Sequence, residues 1–172
     1  MLCIALCSLL GACAVQQSNR QEQTSEVLSL SLRQEKVTAP ARADAIVIDL
    51  NGTDATCESA GVSVKNGTVL ISQGGTYLLH GSLSGGSILV DAPQANVVLL
   101  LSDVQIQSEK NSAAIYTYKA ALATVYLEEE SENTLCDAQS YTFADTRSSA
   151  TEDEPNACLY SKADLVIAGN KR

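Results

Sequence analysis

The segment Ile115–Leu122 (IYTYKAAL) decides the fold, because it returns as Leu159–Leu165 (LYSKADL) with one residue deleted. A looser copy precedes both, since alternate apolar residues of Ala95–Leu101 match those of Ala121–Leu127 at an offset of 26 residues. The leucines that end the two close copies are 43 residues apart, and the surplus of 17 fits inside the polar stretch Asp137–Pro155. A period of about 26 residues made of β-like runs predicts stacked coils with one long loop.

The remaining apolar residues from Ala45 onward also come in short runs that Gly, Asn, Asp and Ser separate. Asn66-Gly67 predicts a hairpin between Val62–Lys65 and Thr68–Ile71, because both turn residues tolerate positive φ. No stripe with helical spacing is present, so we expect an all-β domain. The continuous apolar run Val97–Leu101 favours parallel strands buried on both faces over a sandwich. We therefore expect a right-handed parallel β-helix, truncated at its C-terminus because no terminal cap is visible.

The N-terminal segment 1–13 is an apolar run too short to span a bilayer, as in an export signal. Its end, Leu10-Gly11-Ala12-Cys13, resembles a bacterial lipobox, in which the cysteine becomes the lipidated first residue of the mature protein. The alternative is a fortuitous apolar terminus with a buried cysteine. Residues 14–44 are rich in polar side chains and are expected to form a flexible tether. The folded domain is then 45–172, and the protein is expected on the outer face of the cell membrane through a lipid anchor.

Three cysteines remain after the signal: Cys57, Cys136 and Cys158. An odd number leaves at least one thiol unpaired. Cys136 and Cys158 flank the long loop that contains the polar stretch Asp137–Pro155, and they are candidates for a disulfide at the base of this loop. It is equally open that all three are small apolar side chains in a core.

Four segments can be compared with known proteins by their order and spacing: Gly61–Val64, Gly74–Leu83, Glu132–Leu135 and Glu154–Leu165. Together they resemble the carbohydrate-binding β-helix proteins of bacterial surfaces. That family is similar in fold to polysaccharide lyases. The resemblance implies binding of acidic plant polysaccharide and cellulose, with calcium ions on the β-helix.

The charge of the chain is concentrated in one segment. Between Glu128 and Glu154 there are nine acidic residues and one base, Arg147, within a chain whose net charge is −9. Such a segment is either a solvated loop or a site for a hard cation, because Ca²⁺ collects six to eight oxygen ligands. Bound Ca²⁺ would also let this surface meet a polysaccharide that carries carboxylates. The candidate ligands are Asp137, Asp153, Glu154 and Asp164.

Aromatic residues are scarce, with no Trp and one Phe, so a flat Trp platform for crystalline cellulose is absent. Tyr116, Tyr118 and Tyr160 lie in the repeat and are candidates for stacking on sugar rings; the alternative is that they complete the edge of a core. Lys119 and Lys162 recur at the matched position, as sugar contacts or as solvent-facing turn residues.

Catalysis has little support in the sequence. His80 is the only histidine, and a structural role suits it better than a general base. We expect a non-catalytic, calcium-dependent binder of plant cell-wall polysaccharide, monomeric rather than oligomeric. A pectate lyase on the same fold and a structural surface adhesin without a sugar ligand are the alternatives. Nucleic acid is disfavoured by the net charge of −9.

Overall fold

A computed structural model describes residues 37–109, 112–138 and 156–169. Within these ranges the regular elements are β-strands, apart from one short 3₁₀ turn at Arg42–Asp44. The expectation of an all-β domain is therefore confirmed. The strands are β1 (Ile46–Gly52), β2 (Asp54–Thr56), β3 (Val62–Lys65), β4 (Thr68–Ile71), β5 (Gly75–Ser84), β6 (Ser87–Asp91), β7 (Asn96–Gln107), β8 (Ile115–Lys119), β9 (Leu122–Leu127), β10 (Thr134–Cys136), β11 (Leu159–Ser161) and β12 (Asp164–Gly169).

The strands form two mixed sheets. Sheet 1 has seven strands in the order β12-β9-β7-β5-β1-β2, with β10 also paired to β7. Sheet 2 has five strands in the order β11-β8-β6-β4-β3. From β4 to β9 the chain alternates strictly between the sheets, and each strand pairs in parallel with the strand two positions later. Antiparallel pairing occurs between β1 and β2 and between β3 and β4.

The sequence repeat corresponds to neighbouring strands. Val97 lies beside Ala123, and Leu101 beside Leu127, as the offset of 26 residues predicts. Ile115–Leu122 and its second copy also face each other, with Leu159 opposite Ile115. The end of that alignment was wrong by one residue, because Leu165 pairs with Ala123 rather than with Leu122. Four residues lie between Thr117 and Leu122 but only two between their partners Ser161 and Asp164, so two residues rather than one are missing.

The hairpin at Asn66-Gly67 is confirmed. β3 and β4 pair antiparallel, with Lys65 opposite Thr68 across the two-residue turn. Asn66 has φ 52° and Gly67 has φ 76°, the left-handed region that such a turn requires of both residues.

The core lies between the two sheets and consists of alternate apolar side chains stacked in register. One such row contains Ile48, Leu79 and Leu101, which are neighbours in β1, β5 and β7 and are fully buried. Sheet 2 contributes Val69, Ile71, Ile88 and Ile115 from its inner face. Full burial of each such side chain is worth about 1.5–3 kcal/mol, and this burial holds the coils together.

A β-bulge bends sheet 1 in the middle of its longest strands. His80 pairs with Ser102 but Gly81 pairs with Val104, so Asp103 is the extra residue, and it has φ 56°. Before the bulge β7 pairs with β9, and after it β7 pairs with β10. The bulge therefore divides the outer face of sheet 1 into two parts.

Residues 37–44, the last part of the expected tether, lie against the first of these two parts. Arg42 forms an ion pair with Glu128, and residues 37–40 border the same groove as Leu100 and Tyr126. This segment explains why Leu100, on the outer face of β7, is almost fully buried. The continuous apolar run that contains Leu100 is thus covered on both sides, by the core and by residues 37–44.

Candidate functional site

The structure brings Tyr116, Tyr118 and Tyr160 together on the outer face of sheet 2. Tyr116 and Tyr160 are register partners in β8 and β11, and their ring centroids are 5.5 Å apart. Tyr118 meets Tyr116 at 6.0 Å, and both contacts are edge-to-face. Tyr116 is only 3% exposed and packs with Leu89. Because its ring is covered, Tyr116 belongs to a small apolar cluster and offers no face to a sugar.

The two lysines of the repeat lie at the same corner of successive coils, and both are exposed. The Lys119 ammonium stands 4.8 Å from the centroid of the Tyr118 ring, a cation–π contact. The backbone N–H of Lys162 donates to the carbonyl of Thr117, two residues before Lys119. Lys119 thus occupies one face of Tyr118, the same face that sugar stacking would need.

The candidate calcium ligands are not brought together where they are described. Asp164 aligns through β9 with Asn96 at the start of β7, whereas Asp137 follows the residue that pairs with Gln107 at the end of β7. Asp153 and Glu154 lie outside the described residues, as does Cys13. Within residues 37–109, 112–138 and 156–169, no three His, Cys, Asp or Glu side chains are grouped to hold a metal ion.

The histidine and the cysteines carry no catalytic arrangement in the described ranges. The Nε2 atom of His80 contacts the carboxylate of Asp49 on the neighbouring strand, and both side chains are nearly half exposed. Cys57, Cys136 and Cys158 are free thiols, each partly buried. The carbonyl groups of Cys136 and Cys158 accept hydrogen bonds from Ser108 and Ile115, which flank the turn between β7 and β8.

An uncharged row of side chains crosses the second part of sheet 1, and sequence reasoning missed it. Asn51 pairs with Ser82, Ser82 with Gln105, and Gln105 with Thr134. All four side chains are exposed, while the residues that alternate with them point inward, such as Leu83 and Ile106. We call Asn51, Ser82, Gln105 and Thr134 the polar ladder.

Most of the ladder's hydrogen-bonding capacity faces solvent. The Asn51 amide nitrogen donates to the carbonyl of Asp49 and to the Thr56 hydroxyl, both at 3.3 Å, which leaves its oxygen as an outward acceptor. Among the described residues, no side-chain hydrogen bond of Ser82, Gln105 or Thr134 is present. The four strands that carry the ladder contain no Lys or Arg. The ladder is therefore an exposed surface of donors and acceptors on strands without Lys or Arg.

A fixed repeat offset hides the ladder in the sequence. Before the bulge, β7 and its partner differ by 26 residues, but Gln105 and Thr134 differ by 29, because six residues separate Leu127 from Thr134 and only three separate Leu101 from Gln105. The usable signal is the local alternation of a polar residue between two apolar ones, as at Ser82 next to Leu83 and at Gln105 between Val104 and Ile106.

Comparisons with known proteins point in one direction. The model of a family described as carbohydrate-binding domain-containing protein matches residues 65–171. A carbohydrate-binding domain-containing protein of Acetivibrio thermocellus is 38% identical over 111 residues, which cover 64% of this chain and 37% of the relative. A solved structure, the gadolinium derivative of the polysaccharide lyase-like protein from C. thermocellum, superposes with a TM-score of 0.67 at 34% identity.

That superposition covers 73% of this chain and 50% of the solved one. The chain thus spans about half or less of the length of the relatives that it matches. No helix in the described part of the chain has the length and apolar character needed to cross a membrane.

Proposed function

Because the chain belongs to the family of carbohydrate-binding domain-containing proteins, we propose that it binds plant cell-wall polysaccharide without cleaving it. The observation that carries the proposal is the polar ladder, an exposed row of hydroxyl and amide groups on four parallel strands of sheet 1. Sugars present many hydroxyl groups, and side chains whose backbone is already ordered in a sheet can bind them without the cost of ordering the main chain. The Tyr116 cluster contributes to the packing of sheet 2 rather than to this surface.

We also propose that the two sheets are faces of a right-handed parallel β-helix. The alternation of strands between sheets and the parallel pairing of successive coils support this architecture. A β-helix presents a long, straight surface, and such a surface accommodates a polymer better than a closed pocket does.

Calcium is proposed as a requirement for acidic polysaccharides. The support is the charge of −9, because a polyuronate meets repulsion unless a cation lies between the two surfaces. Asp137 and Asp164 do not form one site with each other, so the proposal depends on charge and not on a ligand set in the described residues.

A pull-down tests both parts of this proposal. The protein is mixed with insoluble cellulose or with cross-linked polygalacturonate, each with added calcium or with a chelator. We expect polygalacturonate to retain the protein only with calcium. Equal retention with and without the chelator would exclude the calcium requirement, and no retention on any plant polysaccharide would exclude the binding function.

A pectate lyase is the second candidate, because the solved neighbour is called polysaccharide lyase-like. Its reaction needs a base beside the uronate carboxylate. His80 is paired with Asp49, and Lys119 lies over Tyr118, which makes both poorly placed for that role. Incubation with pectate and calcium tests the candidate, since cleavage by elimination gives an unsaturated product that absorbs ultraviolet light. A glycan array without any hit would favour the structural adhesin instead.

The proposed location is the outer face of the cell membrane, with Cys13 as the lipidated residue. The support is the tetrapeptide that ends at Cys13. Metabolic labelling with a radioactive fatty acid tests it, with Cys13→Ser as the variant that should lose the label and Cys57→Ser as the control that should keep it.

A further inference from the structure

The spacing of the polar ladder fits a polysaccharide that runs across the strands. Neighbouring strands of a sheet are about 4.8 Å apart. This distance is close to the length of one sugar unit in an extended chain. Since Asn51, Ser82, Gln105 and Thr134 come from four adjacent strands, one side chain is available for each of four successive sugars.

The charges beside the ladder distinguish between classes of polysaccharide. Asp103 and Glu132 precede Gln105 and Thr134 by two residues each, and both acidic residues are exposed. The Asp103 carboxylate accepts a hydrogen bond from the backbone N–H of Glu132 at 2.9 Å, which holds the two residues together at the bulge. A chain of uronates on the ladder would meet these carboxylates, and the four strands have no Lys or Arg to balance them; His80 of β5 is already paired with Asp49. An uncharged polysaccharide is not repelled by these carboxylates, and it has no charge of its own that binding would remove from water.

We infer that the polar ladder binds an uncharged polysaccharide segment that lies across the strands, with one sugar unit on each of the four strands. This inference rests on the proposed function and specifies its surface, its direction and its ligand class. It separates two modes: direct binding of uncharged segments on the ladder, and calcium-dependent binding of acidic segments.

The first experiment measures affinity against chain length by isothermal titration, with uncharged cello-oligosaccharides in the presence of chelator. We expect a steep gain from dimer to tetramer and less than about a twofold gain from tetramer to hexamer, because the ladder has four positions. A steady gain beyond the tetramer, or equal affinity of dimer and tetramer, would overturn the inference.

The second experiment changes the ladder itself. Gln105→Ala and Thr134→Val each remove the outward polar group and leave an exposed strand position that tolerates the new residue. Each should weaken tetramer binding about fivefold, the factor that one net hydrogen bond is worth. Asn96→Ala is the matched control, because Asn96 is an exposed residue of the same strand β7 outside the ladder. Circular dichroism confirms that all variants are folded.

The third experiment reverses the charge preference. Oligogalacturonate and its methyl-esterified form share one backbone and differ in charge, so they form a matched pair of probes. Without calcium, wild type should bind the ester at least tenfold more tightly than the acid. Gln105→Lys should narrow that difference at least threefold, because it places a base in the ladder. An unchanged ratio in Gln105→Lys would overturn the inference.

Failure of the inference and failure of the proposed function give different results. If wild type binds polysaccharide and the Gln105 and Thr134 variants bind it equally well, the ladder is excluded while carbohydrate binding stands. If wild type binds no polysaccharide in any of these experiments, the proposed function itself is excluded.

Discussion

Gly81 lies in β5 at the register shift that the bulge causes, close to the backbone of β1. Its φ is +92°, and a Cβ at this position would collide with the carbonyl oxygen of Leu50 in the neighbouring strand. Both facts restrict the position to glycine, because an L side chain is strained at this φ and no flexible atom can move aside. Gly52 offers a comparison, since it has φ +77° but open space around its Cβ position.

We predict that Gly81→Ala lowers the free energy of unfolding by more than about 3 kcal/mol, because strain and a backbone collision add. Gly52→Ala meets strain alone and should lose only about 1 kcal/mol. Urea denaturation of the two variants measures the difference. Equal losses would show that the approach to Leu50 relaxes without cost.

The pKa of Tyr77 clearly departs from its ordinary value. Its side chain is buried, and its hydroxyl donates to the carbonyl of Gln73 at 2.9 Å. Burial raises the pKa of Tyr77 above 10.0, and the neighbouring Cys57 raises it further. The folded state therefore favours the neutral phenol.

The stability linked to Tyr77 is fully present below about pH 10, the pKa of the unfolded state, and is lost as the pH rises toward the higher folded pKa. We predict that Tyr77→Phe lowers stability by about 1 kcal/mol at neutral pH, through the lost hydrogen bond. The same variant should lose less stability than wild type between pH 9 and pH 11. Urea denaturation across this range measures both effects, and parallel curves would contradict the pKa shift.

At the scale of the elements, Asn133 joins the long strand β7 to the turn before β10. Its side-chain oxygen accepts a hydrogen bond from the backbone N–H of Val104 at 2.9 Å, and its nitrogen donates to the Ser131 hydroxyl at 2.8 Å. Val104 follows the bulge residue Asp103. The bulge therefore removes the backbone N–H of Val104 from the regular hydrogen bonding between the strands of sheet 1. Asn133 thus supplies the acceptor that the sheet does not.

We predict that Asn133→Ala costs about 2 kcal/mol of stability, because the buried N–H of Val104 loses its acceptor. Asn133→Asp retains an oxygen at that position and should lose less. Asn96→Ala, at an exposed site of the same strand, should stay within about 0.5 kcal/mol of wild type. Thermal unfolding of the three variants gives the ranking, and a loss in Asn133→Ala no greater than in Asn96→Ala would contradict the role of Asn133.

The regular parts of these elements could be predicted from the sequence, and the irregular parts could not. Apolar residues at alternate positions give the strand pairs directly, as in the match of Val97 with Ala123. Asn66-Gly67 gives the hairpin, because few other pairs adopt its φ angles at low cost. The extra residue Asp103 has no such signature, since Asp occurs in many loops and strands. The register of β5 with β7 beyond it, and with it that of the polar ladder, was therefore hidden.

The candidate site, too, could be predicted from the sequence only in part. The sequence placed Tyr116 beside Tyr160, and the structure confirms that they are neighbours. It left open whether these rings face sugar or complete the edge of a core, because burial on an outer face depends on segments distant along the chain, and Tyr116 proves to be covered. Leu100 illustrates this dependence, since residues 37–42 and not the core cover its side.

At the scale of the whole molecule, net charge and the exposed edge of sheet 1 act against each other. Among the described strands β12 pairs only with β9, so no described strand covers its other edge. Ile167 in β12 is 61% exposed and Leu127 in β9 is 38% exposed, although both continue rows that are buried in the neighbouring coils. An edge of this kind favours association with another chain. The charge of −9 opposes it through repulsion between molecules.

The salt concentration should therefore determine whether charge repulsion or association through the edge of sheet 1 prevails. At low ionic strength repulsion keeps the molecules apart, and at high ionic strength the Debye length falls to about 3 Å at 1 M, so the apolar edges meet. We predict that wild type associates in sedimentation experiments as salt is raised, and that Ile167→Thr suppresses this association while its unfolding free energy changes by less than about 0.5 kcal/mol. Val125→Thr, at the buried register partner of Ile167, should instead lose about 1–3 kcal/mol, because its hydroxyl enters the core. Association of Ile167→Thr to the same extent as wild type would place the contact away from β12.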